Sequence, residues 1–255
     1  MTTASAAAHH QDTHLPQAAL SKKFAEDGFL VLPDIYTGEE TGLLQQQIEA
    51  ADTTRSTFRR TKDLFAIRQF LKEVPQSIPV IFNTRLLGLI QSLFGSSCFV
   101  TKSIYFDKPA QSNWFVAYHQ DLTISVNQKT ALDGFGPWTA KQDQYAVQPA
   151  LLYLEQGITI RIHLDDTTKD NGALKVIPGS HRQGIIRPEQ LSGFTGEQVV
   201  TVPEGGIMLM RPLLLHASGR TLNRQRRRVI HIELNQAALP SGLQWSEYLP
   251  LPYIS

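Results

Sequence analysis

The order of patterns along the chain predicts a mainly β protein, a sandwich or jelly roll flanked by N-terminal α-helices. Three observations carry this. Helical periodicity is concentrated before Gly95. Beyond it the chain breaks into short strand-like runs, with little of helical period. Two of those runs, Ile158–Leu164 and Arg227–Leu234, alternate strictly and read as strands with two chemically distinct faces. Helices first and many short strands afterwards is the pattern of helices laid against an antiparallel sheet.

Length and composition agree with one domain. A chain of 255 residues can bury a single large core, expected over residues 17–255. Residues 1–16 are rich in Ala, Ser and Thr, carry His9, His10 and His14, and are expected to form a frayed tail rather than a metal-binding tract. Hydrophobic content of 42% and charged content of 18% exclude a disordered chain. A formal net charge of +1 gives no reason to expect nucleic acid or an anionic membrane as partner. No apolar run reaches the length of a membrane span, and the N-terminus lacks the basic and apolar regions of a signal peptide, so a cytoplasmic protein is expected. The single Cys98 excludes an internal disulfide and a cysteine-based zinc cluster.

In order, Leu20 and Phe24 place a helix over about 19–27 that Gly28 stops, and Phe29–Leu32 reads as a buried strand ended by Pro33. Thr37 and Glu40 form a capping box opening a helix to about Ala51. Residues 52–75 carry mixed charge, with a helix expected over Leu64–Leu71. Asn83 precedes an amphipathic helix closed by Gly95. Strands follow at Cys98–Thr101, Ile104–Phe106, Ile158–Leu164, Ala173–Ile177, Val199–Val202, Ile207–Met210 and Arg227–Leu234. Asn171-Gly172 signals a hairpin between the strands on either side. Residues 122–157, rich in Gly, Pro and aromatics, form a long irregular connection, either a lid or a packed surface loop. His181 is expected at the surface.

The chemistry centres on Tyr118-His119-Gln120-Asp121. In a strand His119 and Asp121 share one face and Gln120 points away. His216 lies far downstream and can supply a third ligand, making the two-His, one-carboxylate set of non-haem Fe(II) oxygenases. The same donors suit Zn(II), Co(II) or Ni(II). An oxygenase of this kind needs an electron donor, usually 2-oxoglutarate, whose distal carboxylate calls for a guanidinium. Arg224, Arg226, Arg227 and Arg228 crowd one strand's start, and alternation puts Arg227 on one face with Arg226 and Arg228 on the other. The neutral net charge weighs against reading them as a nucleic-acid patch. Ser218, two residues past His216, can donate a hydroxyl to the same carboxylate. Arg161 and His163 share a face of the alternating run.

Taken together, His119-Gln120-Asp121, Asp170–His181 with its Asn171-Gly172 and Pro178-Gly179, His216-Ala217-Ser218-Gly219, and Arg227 eleven residues after His216 resemble the phytanoyl-CoA dioxygenase family. The early Asp27–Pro33 stretch is similar too, and the resemblance spans about Leu20 to Leu234. It implies a double-stranded β-helix, Fe(II) on His119, Asp121 and His216, and 2-oxoglutarate on Arg227 with Ser218 nearby. Arg161 then lines the co-substrate pocket. The expected activity is hydroxylation of a small or medium organic substrate with O2, releasing succinate and CO2. Halogenases of the family replace the carboxylate by a small residue, and Asp121 argues against that branch. A cupin-like metal isomerase or hydrolase without 2-oxoglutarate, and a non-catalytic jelly-roll binding protein, are the competing expectations.

Overall fold

The computed structural model describes residues 15–141, 144–240 and 242–253. His9, His10, His14 and nearly all of the expected tail lie outside the described residues. Helix α1 (Gln17–Asp27) ends where Gly28 adopts a left-handed conformation, φ 82°, and its N–H donates to Phe24 O. Strand β1 (Phe29–Leu32) follows. Helix α2 (Gly38–Glu49) opens on the capping box: Glu40 N–H donates to Thr37 Oγ1 (3.2 Å) and Thr37 N–H to Glu40 Oε2 (2.7 Å). Next come β2 (Phe58–Arg60), β3 (Phe65–Arg68), α3 (Phe70–Glu73), α4 (Ile78–Ile81) and α5 (Thr84–Phe94), the last capped by the Asn83 side chain. Half of the helix expected over Leu64–Leu71 is instead strand, and helix begins only at Phe70. Phe65–Arg68 extends a sheet by pairing with distant residues, Ile67 opposite Tyr105, and that non-local pairing overrides the local pattern.

The remaining elements are β4 (Phe99–Lys108), β5 (Val116–His119), β6 (Ile124–Val126), β7 (Trp138–Lys141), β8 (Gln144–Val147), α6 (Leu151–Glu155), β9 (Ile158–His163), β10 (Leu174–Val176), β11 (Gln198–Val200), β12 (Ile207–Met210), β13 (His216–Ser218), β14 (Arg227–Asn235) and β15 (Leu249–Pro250). The main antiparallel sheet runs β1-β12-β9-β14-β4-β3-β2, with β15 beside β4. The second runs β11-β10-β13-β5. Phe29, Val31, Met208 and Met210 of the first meet Leu174, Val176 and Val200 of the second in one apolar cluster, so the sheets face each other as a jelly roll. Among the described residues no single helix is long and apolar enough to cross a membrane.

Alternation along β9 and β14 decides what the two faces of the main sheet do. Ile160, Ile162, Ile230, Ile232 and Leu234 pack outward under Phe24, Leu44, Ile48, Leu86 and Ile90 of the helices. Arg161, His163, Arg227, His231 and Glu233 are left on the inner face. The helical layer therefore carries the main apolar core, and the barrel interior is free to be polar.

Two further expectations are corrected. β9 pairs with β12 and β14, not with β10, so Asn171-Gly172 does not close a hairpin; the chain crosses there from one sheet to the other. Asn171 instead closes a local 3-10 turn, accepting from Thr168 N–H (2.7 Å) and donating to Asp166 O (2.7 Å). Residues 122–157 are not irregular: they hold the three-stranded sheet β6-β8-β7 and α6, packed on Phe99 and Trp245.

His181 is half-buried rather than on the open surface: it bonds Ala25 O through Nε2 (3.1 Å), and its ring fills the space where a Cβ on Gly28 would lie. Gly28→Ala should therefore lose about 1–2 kcal/mol from the left-handed backbone alone, plus a steric contribution from His181. In a double-mutant cycle read by thermal or urea unfolding, His181→Ala is expected to relieve the second part and leave the first. Additive losses would show that the imidazole does not make this contact.

Candidate metal centre and anion pocket

Pairing of β13 with β5 sets His216 directly opposite His119. The two rings lie 4.2 Å apart between centroids. Just past β5 the backbone N–H of Asp121 donates to Pro212 O (2.9 Å), which turns its carboxylate back toward both imidazoles. Asp121 Oδ1 is 3.8 Å from His119 Nε2 and Oδ2 is 3.9 Å from His216 Nε2. These separations are too long for hydrogen bonds. One ligand atom from each residue lies within 4.8 Å of the others, so the three can hold an ion.

Tautomers are fixed from behind. His119 Nδ1 contacts Ala117 O at 2.8 Å and His216 Nδ1 contacts Leu214 O at 2.9 Å. A carbonyl only accepts, so each Nδ1 carries the proton and each Nε2 presents its lone pair to the centre, the arrangement of ligating imidazoles. Burial holds His216 down at about 4, partly offset by Asp121, which keeps the ring neutral. Burial alone would raise the Asp121 carboxyl, but His216, His231, Lys102 and His119 hold it at about 2. A neutral imidazole beside an ionised carboxylate is the donor set a divalent cation requires.

Gln120 points the other way, as alternation demands. Its amide donates to Leu213 O (2.7 Å) and Gly184 O (2.8 Å), and its carbonyl accepts from Ile186 N–H (2.8 Å). The middle residue of His-x-Asp thereby ties the end of β5 to the loop that delivers His216. Sequence reading had only placed Gln120 away from the centre.

A second cluster lies on the inner face at the start of β14. Arg227 is buried, and its Nη1 donates to Gly172 O (2.5 Å) while Nε has no partner. Ser218 Oγ donates to the same oxygen (3.3 Å). Lys108, the register partner of Arg227, is fully buried, donates to Gly219 O and lies over the Trp114 ring at 5.5 Å. Burial and then the charge of Arg227 bring the Lys108 amine down to about 7; burial and Arg161 bring Arg227 to about 9. Three donors thus converge with only backbone carbonyls for partners, which fits a carboxylate ligand. Gly172, φ 87°, lines this pocket: a Cβ there would stand 2.8 Å from Lys108 Nζ. Lys108 was missed from sequence. Its only signal was its place at the end of a strand beside the arginine run.

The other arginines are accounted for. Arg226 makes a two-pronged pair with Asp107, Arg228 does so with Asp165, and Arg224 is exposed. Arg161 makes a different contact, its Nη1 reaching His231 Nδ1 at 3.3 Å, while its charge is still felt by Arg227.

Comparison with known proteins agrees with this geometry. The family model of phytanoyl-CoA dioxygenase (PhyH) matches residues 24–229. L-proline trans-4-hydroxylase of Streptomyces griseoviridis is 23% identical over 250 residues, covering 84% of each chain. In fold, the crystal structure of EctD from S. alaskensis with 2-oxoglutarate and 5-hydroxyectoine superposes with a TM-score of 0.66 at 21% identity, covering 86% of this chain and 75% of that one. The carbocyclase SnoK from nogalamycin biosynthesis gives 0.67 at 14% identity over 91% and 88%. By the match over residues 24–229, this chain belongs to the phytanoyl-CoA dioxygenase family of Fe(II)- and 2-oxoglutarate-dependent dioxygenases.

Proposed function

We propose that this protein hydroxylates a small organic molecule, holding Fe(II) on His119, Asp121 and His216 and the distal carboxylate of 2-oxoglutarate on Arg227, Ser218 and Lys108. The observation that carries the reading is the pairing of two features on facing walls of one barrel. One is a His-Asp-His set with both Nε2 atoms turned inward. The other is a buried guanidinium whose Nε has no partner. When bound, iron would activate O2, which is the oxidant, and 2-oxoglutarate would supply two electrons as it is converted to succinate and CO2.

The protein's own groups do the placing. Asp121 contributes the anionic ligand, and the backbone carbonyls behind His119 and His216 keep both rings in the ligating tautomer. Arg227 offers two parallel N–H donors, Ser218 a hydroxyl and Lys108 an ammonium, enough to fix one carboxylate in orientation as well as position. Phe106, stacked on Trp114 at 6.3 Å and edge-on to His231 at 6.1 Å, gives the pocket an apolar wall that keeps water from these donors. The similarity to a proline hydroxylase supports hydroxylation of a compact metabolite.

Asp121→Ala should abolish stoichiometric Fe(II) binding in an anaerobic titration and lower substrate-coupled succinate formation at least about 100-fold, more than the loss of an outer-shell partner. Normal coupled turnover in that variant would contradict the assignment. A second test uses Lys108. Because its amine titrates at about 7 in the free protein and a bound carboxylate favours the ammonium, binding above that pH must take up a proton. Calorimetry on the Mn(II)-loaded protein should show 2-oxoglutarate affinity weakening from about pH 7 upward, by at most about tenfold per pH unit, with little change below. Lys108→Met should bind about 10–100-fold more weakly with the slope gone. A slope that survives the substitution would place the titrating group elsewhere.

A further inference from the structure

Along β14 the inward residues run Arg227, Val229, His231, Glu233, from the anion pocket to a cleft beside Asp121 that is also lined by Thr101, Glu233, Tyr153 and Trp245. His231 lies four residues from Arg227, about 13 Å along the strand. At that level a chain of hydrogen bonds crosses three strands. Lys102 Nζ donates to Glu233 Oε1 (2.8 Å), His231 Nε2 meets the same oxygen (3.2 Å), and His231 Nδ1 faces Arg161 Nη1 (3.3 Å). Arg161 can only donate and Glu233, as a carboxylate, only accepts, so in these contacts His231 accepts through Nδ1 and donates through Nε2. The chain has one direction and leaves one charge over. Lys102 and Glu233 neutralise each other, whereas Arg161 is 7% exposed, has no carboxylate within hydrogen-bond reach, and its Nε has no partner. The nearby Asp121 only partly offsets the burial of Arg161. A buried cation without a counter-ion is strongly destabilising.

We propose that Arg161 is a specificity-determining residue that takes an oxyanion of the substrate, most simply a carboxylate, so that the enzyme acts on small organic acids, amino acids included. Lys102, Glu233 and His231 are positioning residues that hold the guanidinium in place. The proposal rests on the reading of the site given above, in which the 2-oxoglutarate distal carboxylate is already taken by Arg227, Ser218 and Lys108.

The test uses acetate as the probe and the Mn(II)-loaded full chain saturated with 2-oxoglutarate. Mn(II) enhances the relaxation of nearby ligand protons, so the acetate methyl signal should broaden, while acetamide at the same concentration should not. In Arg161→Gln the acetate affinity should fall at least tenfold while 2-oxoglutarate affinity, measured by calorimetry, stays within about twofold. Arg161→Lys should recover part of the acetate effect, which separates loss of charge from loss of fold. No broadening in the wild type, broadening that survives Arg161→Gln, equal effects of acetate and acetamide, or a selective loss of 2-oxoglutarate binding in Arg161→Gln would each overturn the proposal. Failure of 2-oxoglutarate to bind the wild-type Mn(II) protein at all would instead overturn the reading of the site.

Discussion

The three donor residues come together because of strand pairing. β5 and β13 are short edge-side segments of the smaller sheet, and their register places His216 across from His119, with a shift one step later at Ser218 opposite Val116. The extra residue of that shift lies on β5; β13 keeps regular register with β10, so Ser218 shares a face with His216 by alternation and reaches Gly172 O. The Asp121 N–H to Pro212 O bond and the three bonds of the Gln120 amide then brace both strand ends from the rear. None of the three donor side chains is placed by its neighbours in sequence alone. A slip of one residue in the β5–β13 register would turn the His216 ring to the opposite face and leave the other two donors without a partner.

A barrel with this many charges inside is stable only because its apolar core lies elsewhere. The outer face of the main sheet, under α1, α2 and α5, holds the largest cluster of fully buried aliphatic and aromatic residues. A single fully buried Leu or Ile contributes about 1.5–3 kcal/mol, so that layer can offset the desolvation of the cations inside. Inside, charges that have no ligand to meet are paired: Lys102 with Glu233, and at the rim Arg226 with Asp107 and Arg228 with Asp165. The guanidiniums of Arg161 and Arg227 are not paired with carboxylates. Residues whose isolation the fold has not relieved are where a ligand has most to contribute.

How much of this was legible in the sequence follows from the range of the interactions involved. Local chemistry was readable: the Thr37–Glu40 capping box, the Asn83 cap, the Gly28 stop and the alternation of 158–164 and 227–234 all appear in the structure. Alternation also separated Arg227 from Arg226 and Arg228 without saying which face was inward, and put His119 and Asp121 on one face, with His216 a downstream candidate for the third ligand. What failed depended on partners far away. Phe65–Arg68 is a strand only because β4 lies alongside it, and Asn171-Gly172 carries hairpin chemistry yet sits at a crossover between sheets. The β6-β8-β7 sheet within 122–157 was hidden because its strands are three or four residues long and punctuated by Gly and Pro. Lys108 was invisible because a lysine at a strand end reads as solvent-facing until its register partner, Arg227, is known.

The two ends of β14 obey different constraints. In the reading proposed above, the spacing from the Arg227 end to His216 suits one fixed co-substrate, so the residues there resemble the family pattern. At the Glu233 end the barrel opens onto a cleft whose walls come from β4, the residues before β9 and the small sheet's partner Trp245. Nothing about the co-substrate restricts those walls. The same fold is shared by neighbours whose names span EctD bound to 5-hydroxyectoine and a carbocyclase, so the substrate has to be sought in the side chains that line the cleft and not in the fold.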